Sequence, residues 1–203
     1  MISETDWLRI LAELGVRPFT AAKWAAPFAN AVQPAKFSAG MADIVDWLPQ
    51  ILHECAMLEK LQENLNYSAE RICQVWPGRF QRESDAAPYA RNPEALANKV
   101  YGGRMGNTEP GDGWLYRGRC PIMATGKDAY ILLGDQMGQD LVGMPHLIEG
   151  PIYGLEAAIA WWEGRVPDSM LGSQVKLRRR VNGGLIGMDH CANLALLCRK
   201  VMA

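Results

Sequence analysis

The chain has 203 residues, 49% hydrophobic and 21% charged, which suffices for one substantial core in an ordinary globular composition. A formal net charge of -1 and a pI of about 6.3 exclude a surface built throughout to hold nucleic acid or anionic lipid. No run reaches the roughly eighteen consecutive apolar residues of a spanning helix, and Met1-Ile2-Ser3-Glu4-Thr5-Asp6 is acidic where a signal peptide is basic, so a soluble product made in the cytoplasm, without stable membrane insertion, is expected.

Punctuation in the sequence marks a series of helices. Leu8, Leu11 and Leu14 recur at helical spacing up to Gly15, and Pro18 to Ala31 carries a second, alanine-rich helix ending near Pro34. From Ala42 to Leu61 the apolar residues Ile44, Val45, Leu48, Ile51, Leu52, Met57, Leu58 and Leu61 predict the spine of the core, kinked or divided at Pro49. Ser68 is placed to cap Ala69 to Trp76, and Asn92-Pro93-Glu94 supplies a cap, a first-turn proline and an acid ahead of Ala95 to Tyr101. Gly102 to Gly118, with six glycines, reads as irregular structure or a small hairpin. Thr125 and Asp128 resemble a capping box for a helix to about Met137, and Pro151 opens another to Gly164. One helix then ends at Asn182-Gly183-Gly184 and a last one opens at Asp189. Alternating strand patterns are scarce, so the fold class is mainly α.

Five cysteines, Cys55, Cys73, Cys120, Cys191 and Cys198, are odd in number and contain no C-x-x-C pair, which points to free buried thiols. His53, His146 and His190 stand apart from other ligand types at metal spacing, so neither a metal nor another cofactor is expected. Gly126-Lys127-Asp128 and Gly111-Asp112-Gly113 lack the remaining residues of phosphate-binding loops. Trp161-Trp162 reads as core packing, whereas Trp114 and Tyr116 in the glycine-rich segment suit stacking on a sugar face. Charge is uneven: five basic and nine acidic residues lie from Met1 to Glu70, against seven and two from Arg165 to Ala203. Lys176 and Arg178-Arg179-Arg180 read as a solvated helix face that also suits an anionic polymer.

Glu54 lies between Ile51-Leu52 and Met57-Leu58, a setting in which desolvation raises a carboxyl pKa and suits a general acid. Glu63 lies among Gln62, Asn64 and Asn66, whose polar groups can hydrogen-bond an ionised carboxylate and leave it a base. On one continuous helix nine residues turn through about 900°, placing the two on opposite faces roughly 13.5 Å apart. A working pair therefore requires the helix to end between them, with Asn64-Leu65-Asn66-Tyr67 as poor helix sequence that could begin a returning loop.

His53-Glu54, Glu63-Asn64-Leu65-Asn66-Tyr67-Ser68-Ala69-Glu70, Trp76-Pro77-Gly78-Arg79-Phe80, Tyr89-Ala90-Arg91-Asn92-Pro93 and Asn98-Lys99-Val100-Tyr101 to Arg104-Met105-Gly106-Asn107 together resemble the phage endolysin branch of glycoside hydrolase family 19. Gly111-Asp112-Gly113-Trp114, Tyr116-Arg117-Gly118-Arg119, Thr125-Gly126 and Arg180-Val181-Asn182-Gly183-Gly184 continue the match in order, from about Trp24 to Asp189. The resemblance implies a lysozyme-like, two-lobed helical fold with a substrate cleft and little β structure, organised as a single catalytic domain over 1–203 with a smaller helical lobe at about 68–110 beside the cleft. It implies inverting hydrolysis of β-1,4 bonds between amino sugars, on chitin in plant-type members and on peptidoglycan in phage members. Glu54 then matches the general acid, Glu63 the base and Thr125 the hydroxyl that holds the attacking water. Asn182, Arg119, Trp114 and Tyr67 match substrate-contacting positions.

The chain departs from the family pattern at three places. Met123 stands for a substrate-contacting Gln, Ala129 for the Asn before the aromatic residue, and Cys55-Ala56-Met57 for Ser-Gly-Gly after His-Glu. The expectation is a monomeric hydrolase with altered subsite contacts, its partner the glycan strands of peptidoglycan, acting in the periplasm for host lysis after release through a separate pore-forming holin. Chitin oligomers as substrate, or a weakened wall-binding protein, are the alternatives.

Overall fold

Ser3 starts the first helix. In the computed structural model, which describes residues 1–203, its hydroxyl accepts from the backbone N of Asp6 while the Asp6 carboxylate accepts from the N of Ser3, both at 3.1 Å. This reciprocal cap opens α1 (Glu4–Glu13). There follow α2 (Pro18–Ala31), α3 (Met41–Glu54), α4 (Ala69–Val75), α5 (Glu83–Ala86), α6 (Pro93–Tyr101), α7 (Asp112–Leu115), α8 (Lys127–Met137), α9 (Pro151–Glu163), α10 (Gln174–Asn182) and α11 (Met188–Val201). Ser68 and Asn92 cap α4 and α6 through their side chains, and prolines occupy the first positions of α2, α6 and α9. The β structure consists of isolated bridges from Arg119 to Gln62 and to Ala124. The glycine-rich 102–118 stretch forms no hairpin and closes with the short α7. No helix is long and apolar enough to cross a membrane.

The chain divides into two compact units. The first comprises Met1–Leu61, Cys120–Met123 and His146–Ala203. Its spine is α3, which buries Ile44, Trp47, Leu48, Ile51 and Leu52 completely, the three- and four-residue spacing of one helical face. Each such side chain contributes about 1.5–3 kcal/mol. Trp24, Phe28, Phe37 and Trp47 join edge to face around it, and Trp7 packs on Phe28 with rings tilted at 48° and centroids 4.8 Å apart. Pro49 removes one backbone donor but does not divide α3. Trp162 is core, donating to Asp43 at 2.8 Å, whereas Trp161 stays half-buried under the Arg165 guanidinium.

The second unit comprises Gln62–Arg119 and Ala124–Pro145, and the 68–110 stretch lies wholly within it. Leu65, Ile72, Phe80, Ala86, Leu96, Ala97 and Val100 form its core, with Tyr67, Trp76, Tyr89, Tyr101 and Trp114 packed against them. Its helix α8 is capped differently from the sequence expectation. Gly126 holds the N-cap at φ 90°, ψ 146°, and no side chain caps the helix, so Thr125 and Asp128 do not form a capping box. A side chain at Gly126 would lie 2.5 Å from Cβ of Met105, so the left-handed backbone and the close approach both require glycine there.

Candidate active site

A polar stripe runs along α3, which is largely apolar apart from it and from Asp43 and His53. Asp46, Gln50 and Glu54 recur every four residues, so their side chains share one face. Asp46 accepts from Arg199 at 2.7 Å and Gln174 at 2.8 Å, and Gln50 accepts from Arg178 at 3.1 Å. Glu54, the last residue of the helix, accepts from Nη2 of Arg178 at 2.5 Å. The Arg178 side chain is 1% exposed and that of Glu54 19%. Nε of Arg178 donates to the carbonyl of Ile186 at 2.6 Å, which completes the fork.

Two expectations are corrected by this geometry. Arg178 is not part of a solvated basic face; Arg179 and Lys176 are exposed, but Arg178 points inward. Nor does Glu54 sit in an apolar pocket, because α3 turns Ile51 and Leu52 into the core while a guanidinium comes to the carboxylate. His53 beside it sets Nδ1 2.9 Å from Nδ1 of His190, and burial, followed by the positive charge of Arg178, lowers its pKa below the usual value of 6.5.

The helix does end between the two glutamates, and earlier than Asn64. Ala56, Met57 and Leu58 take φ of 49°, 60° and 68°, a left-handed run that no α-helix continues. Cys55 pins the turn, donating through Sγ to the carbonyl of Ile51 at 3.0 Å and accepting from the N of Leu58 at 3.3 Å. Burial pushes its thiol up to about 12, which removes it as a nucleophile. None of the five cysteines is in a disulfide, and Cys73 alone is not buried.

Glu63 belongs to the second unit, where three extended segments lie side by side. Its N donates to the carbonyl of Gly118 at 2.9 Å, and Arg119 exchanges backbone bonds with Ala124 at 2.9 and 3.2 Å. Gly118 thereby comes between Glu63 and Thr125. Its N donates to Oε2 of Glu63 at 3.3 Å, and a Cβ there would lie 3.2 Å from both Cβ of Glu63 and Oγ1 of Thr125. Glu63 Oε1 accepts a short hydrogen bond from the hydroxyl of Tyr101 at the end of α6. Burial and the adjacent carboxylate raise the Tyr101 pKa, so its hydroxyl keeps its proton and remains a donor. Tyr101 is a site residue that the sequence does not single out, although it closes the Asn98-Lys99-Val100-Tyr101 motif.

The remaining candidates divide. Asn182 ends α10 exposed to solvent, one turn beyond Arg178. Tyr67 packs edge to face on Trp76, ring centroids 5.8 Å apart, and is half-buried. Trp114 is half-buried, with the Arg117 guanidinium 3.9 Å above its ring. Tyr116 is 3% exposed and donates to the carbonyl of Val142, so it is not available for stacking on a sugar. Arg119 is also 3% exposed, donating to the carbonyl of Leu115 at 2.6 Å and to Tyr130 at 3.0 Å. Its guanidinium is thus buried and bonded within the protein, while its backbone forms the bridges to Gln62 and Ala124.

No protein-family model matches the chain. A glycosyl hydrolase family 19 domain-containing protein of Haemophilus influenzae is 36% identical over 151 residues, 73% of this chain and 74% of that protein. The chain therefore belongs to glycosyl hydrolase family 19 and is a glycoside hydrolase. Two solved structures share its fold, each at 15% identity over 99% of this chain and 92% of the other. They are a mutant form of chitinase C, TM-score 0.62, and chitinase C from Streptomyces griseus, TM-score 0.58. The fold is thus the mainly helical, lysozyme-like one of the family 19 chitinases.

Proposed function

We propose that the chain is a peptidoglycan-degrading endolysin that hydrolyses β-1,4 bonds between amino sugars with inversion, acting as a monomer on the host wall. Glu54 protonates the leaving glycosidic oxygen as the bond to the anomeric carbon breaks. Glu63 takes a proton from the water that attacks the opposite face of the sugar, through an oxocarbenium-like transition state. The observation that carries the assignment is that the Glu63 carboxylate and the Thr125 hydroxyl border the same glycine, Gly118, so that one water can meet both. Tyr101 orients the Glu63 carboxylate, and the Arg178 guanidinium steadies the carboxylate left on Glu54 after proton donation. Tyr67, Trp114 and Asn182 contact the glycan, and Arg119 positions the Glu63–Thr125 segment. The enzyme reaches the periplasm through a separate holin pore.

The second reading is a chitinase, the activity named for both structural relatives. Reducing-end release from purified sacculi and from chitin oligomers, by the wild type and by Glu54→Gln, separates the two. Release from sacculi that vanishes in the variant supports the endolysin reading. Release from chitin alone supports the chitinase. Binding to sacculi without release by either protein points to a wall-binding protein in which Met123 and Ala129 have weakened the chemistry.

A further inference from the structure

Two arginines outside the catalytic groups stand together without a counter-ion. Arg165, just beyond α9, is half-buried over the ring of Trp161, guanidinium carbon 5.1 Å from the centroid, and its Nη1 touches neither solvent nor a partner. Arg180 on α10 donates through Nε to the carbonyl of Arg165 at 2.5 Å. Desolvation and the positive charge of Arg180 both lower the pKa of Arg165, the signature of uncompensated like charges. The carboxylates nearest in sequence are engaged elsewhere, Glu163 by the N of Ser38 at 3.0 Å and Asp168 by the hydroxyl of Ser38 at 2.9 Å. A partly desolvated guanidinium beside an indole is costly to leave unpaired, and the bond from Arg180 to the Arg165 carbonyl brings a second, exposed guanidinium to the same place.

We infer that Arg165 and Arg180 form a secondary site for carboxylates, and, resting on the peptidoglycan reading, that it takes carboxylates of the peptide stems. Arg178 and Arg180 are two residues apart and leave α10 about 200° from each other, so Arg180 faces away from Glu54. The carboxylate it receives belongs to a stem away from the bond being cut. The site therefore strengthens attachment to the polymer and leaves the chemistry on a short soluble glycan unchanged.

The test measures binding of the inactive Glu54→Gln protein to native sacculi and to sacculi whose carboxyls have been converted to amides with carbodiimide and methylamine. Amidation is expected to weaken binding about fivefold, and adding Arg165→Gln and Arg180→Gln to weaken binding to native sacculi by a similar factor with no further loss on amidation. Arg180→Lys retains part of the effect. Because Arg165 is half-buried, Arg180→Gln alone and the thermal melting of each variant keep a folding defect apart from loss of the site. Arginine variants that hold native sacculi as tightly as their parent, or that lose the same factor on amidated sacculi, overturn the inference, as does a parent that binds no sacculi. If the carboxylate-dependent binding appears while the wild type releases no reducing ends from sacculi, the site stands and the endolysin reading falls.

Discussion

Arg178 bonds Glu54 through Nη2 at 2.5 Å and Gln50 through Nη1 at 3.1 Å, so the last turn of α3 is held by one buried guanidinium from α10. Glu54 thus has a fixed orientation and a permanent positive neighbour.

Removing either partner leaves the other charge uncompensated, and only the loss of Glu54 also removes the proposed acid. Arg178→Leu strips a nearly buried ion pair of its cation and leaves the Gln50 oxygen unpaired, a loss of about 3 kcal/mol or more. Urea denaturation should show a clearly lower midpoint, and an unchanged one would sink the account. Glu54→Gln keeps a hydrogen-bonding group of similar size but leaves the buried Arg178 guanidinium without its counter-ion, so it is expected both to lower the urea midpoint and to reduce glycan hydrolysis about 10²–10⁴-fold in protein that is still folded.

Tyr101→Phe deletes the hydroxyl that donates to Glu63 and leaves that carboxylate with the N of Gly118. Hydrogen bonds to charged groups contribute about 1.5–3 kcal/mol, so kcat should fall about 10- to 100-fold while KM changes little. Steady-state kinetics on whichever glycan proves to be the substrate decide this. A change confined to KM would show that Tyr101 binds substrate instead.

Gly118→Ala tests the arrangement of the base and the threonine directly. The added methyl would meet Glu63 and Thr125 at 3.2 Å, tighter than ordinary contact, and push both away from the shared position. Activity should fall about tenfold or more while melting temperature changes modestly, since misplacement of reacting groups by under 1 Å is costly. Full activity in this variant argues against a water held between the two.

Ala56→Gly restores the residue type that the family resemblance places after His-Glu. Ala56 is exposed and sits at φ 49°, where a side chain costs roughly 1–2 kcal/mol and glycine does not. Higher stability, by about 1 kcal/mol in denaturant, is expected. Lower stability would mean that the left-handed run carries no strain.

The lowered pKa of His53 carries a pH signature. Below 6.5 the unfolded chain takes up a proton at this residue before the folded protein does, so stability falls as the pH drops from 6.5 toward the folded-state pKa and levels off beneath it. Melting temperatures measured across this window should rise with pH in the wild type, and less steeply in His53→Asn. An identical slope in the two proteins would remove His53 from the explanation.

Local rules make much of this molecule legible from residue spacing. Ser68, Asn92 and the first-turn prolines mark helix starts because a cap needs only residues three apart. The apolar spacing of α3 identifies the spine, and the motif order identifies Glu54, Glu63 and Thr125 as candidates. Thr125 does not cap α8 because capping depends on backbone angles that Gly126 sets, and Pro49 does not divide α3 because packing on both sides holds the helix together.

By itself the sequence determined the helical class, which follows from short-range spacing, and its ordered motifs supplied the candidate site residues through their resemblance to the family. Tertiary structure alone decided their surroundings. Arg178 reaches Glu54 across 124 residues and Tyr101 reaches Glu63 across 38, and nothing local marks which of three successive arginines turns inward. The one local signal is the stripe of Asp46, Gln50 and Glu54 on an apolar helix. Buried polar groups at that spacing require partners, but only the folded chain shows that Arg199, Gln174 and Arg178 are those partners.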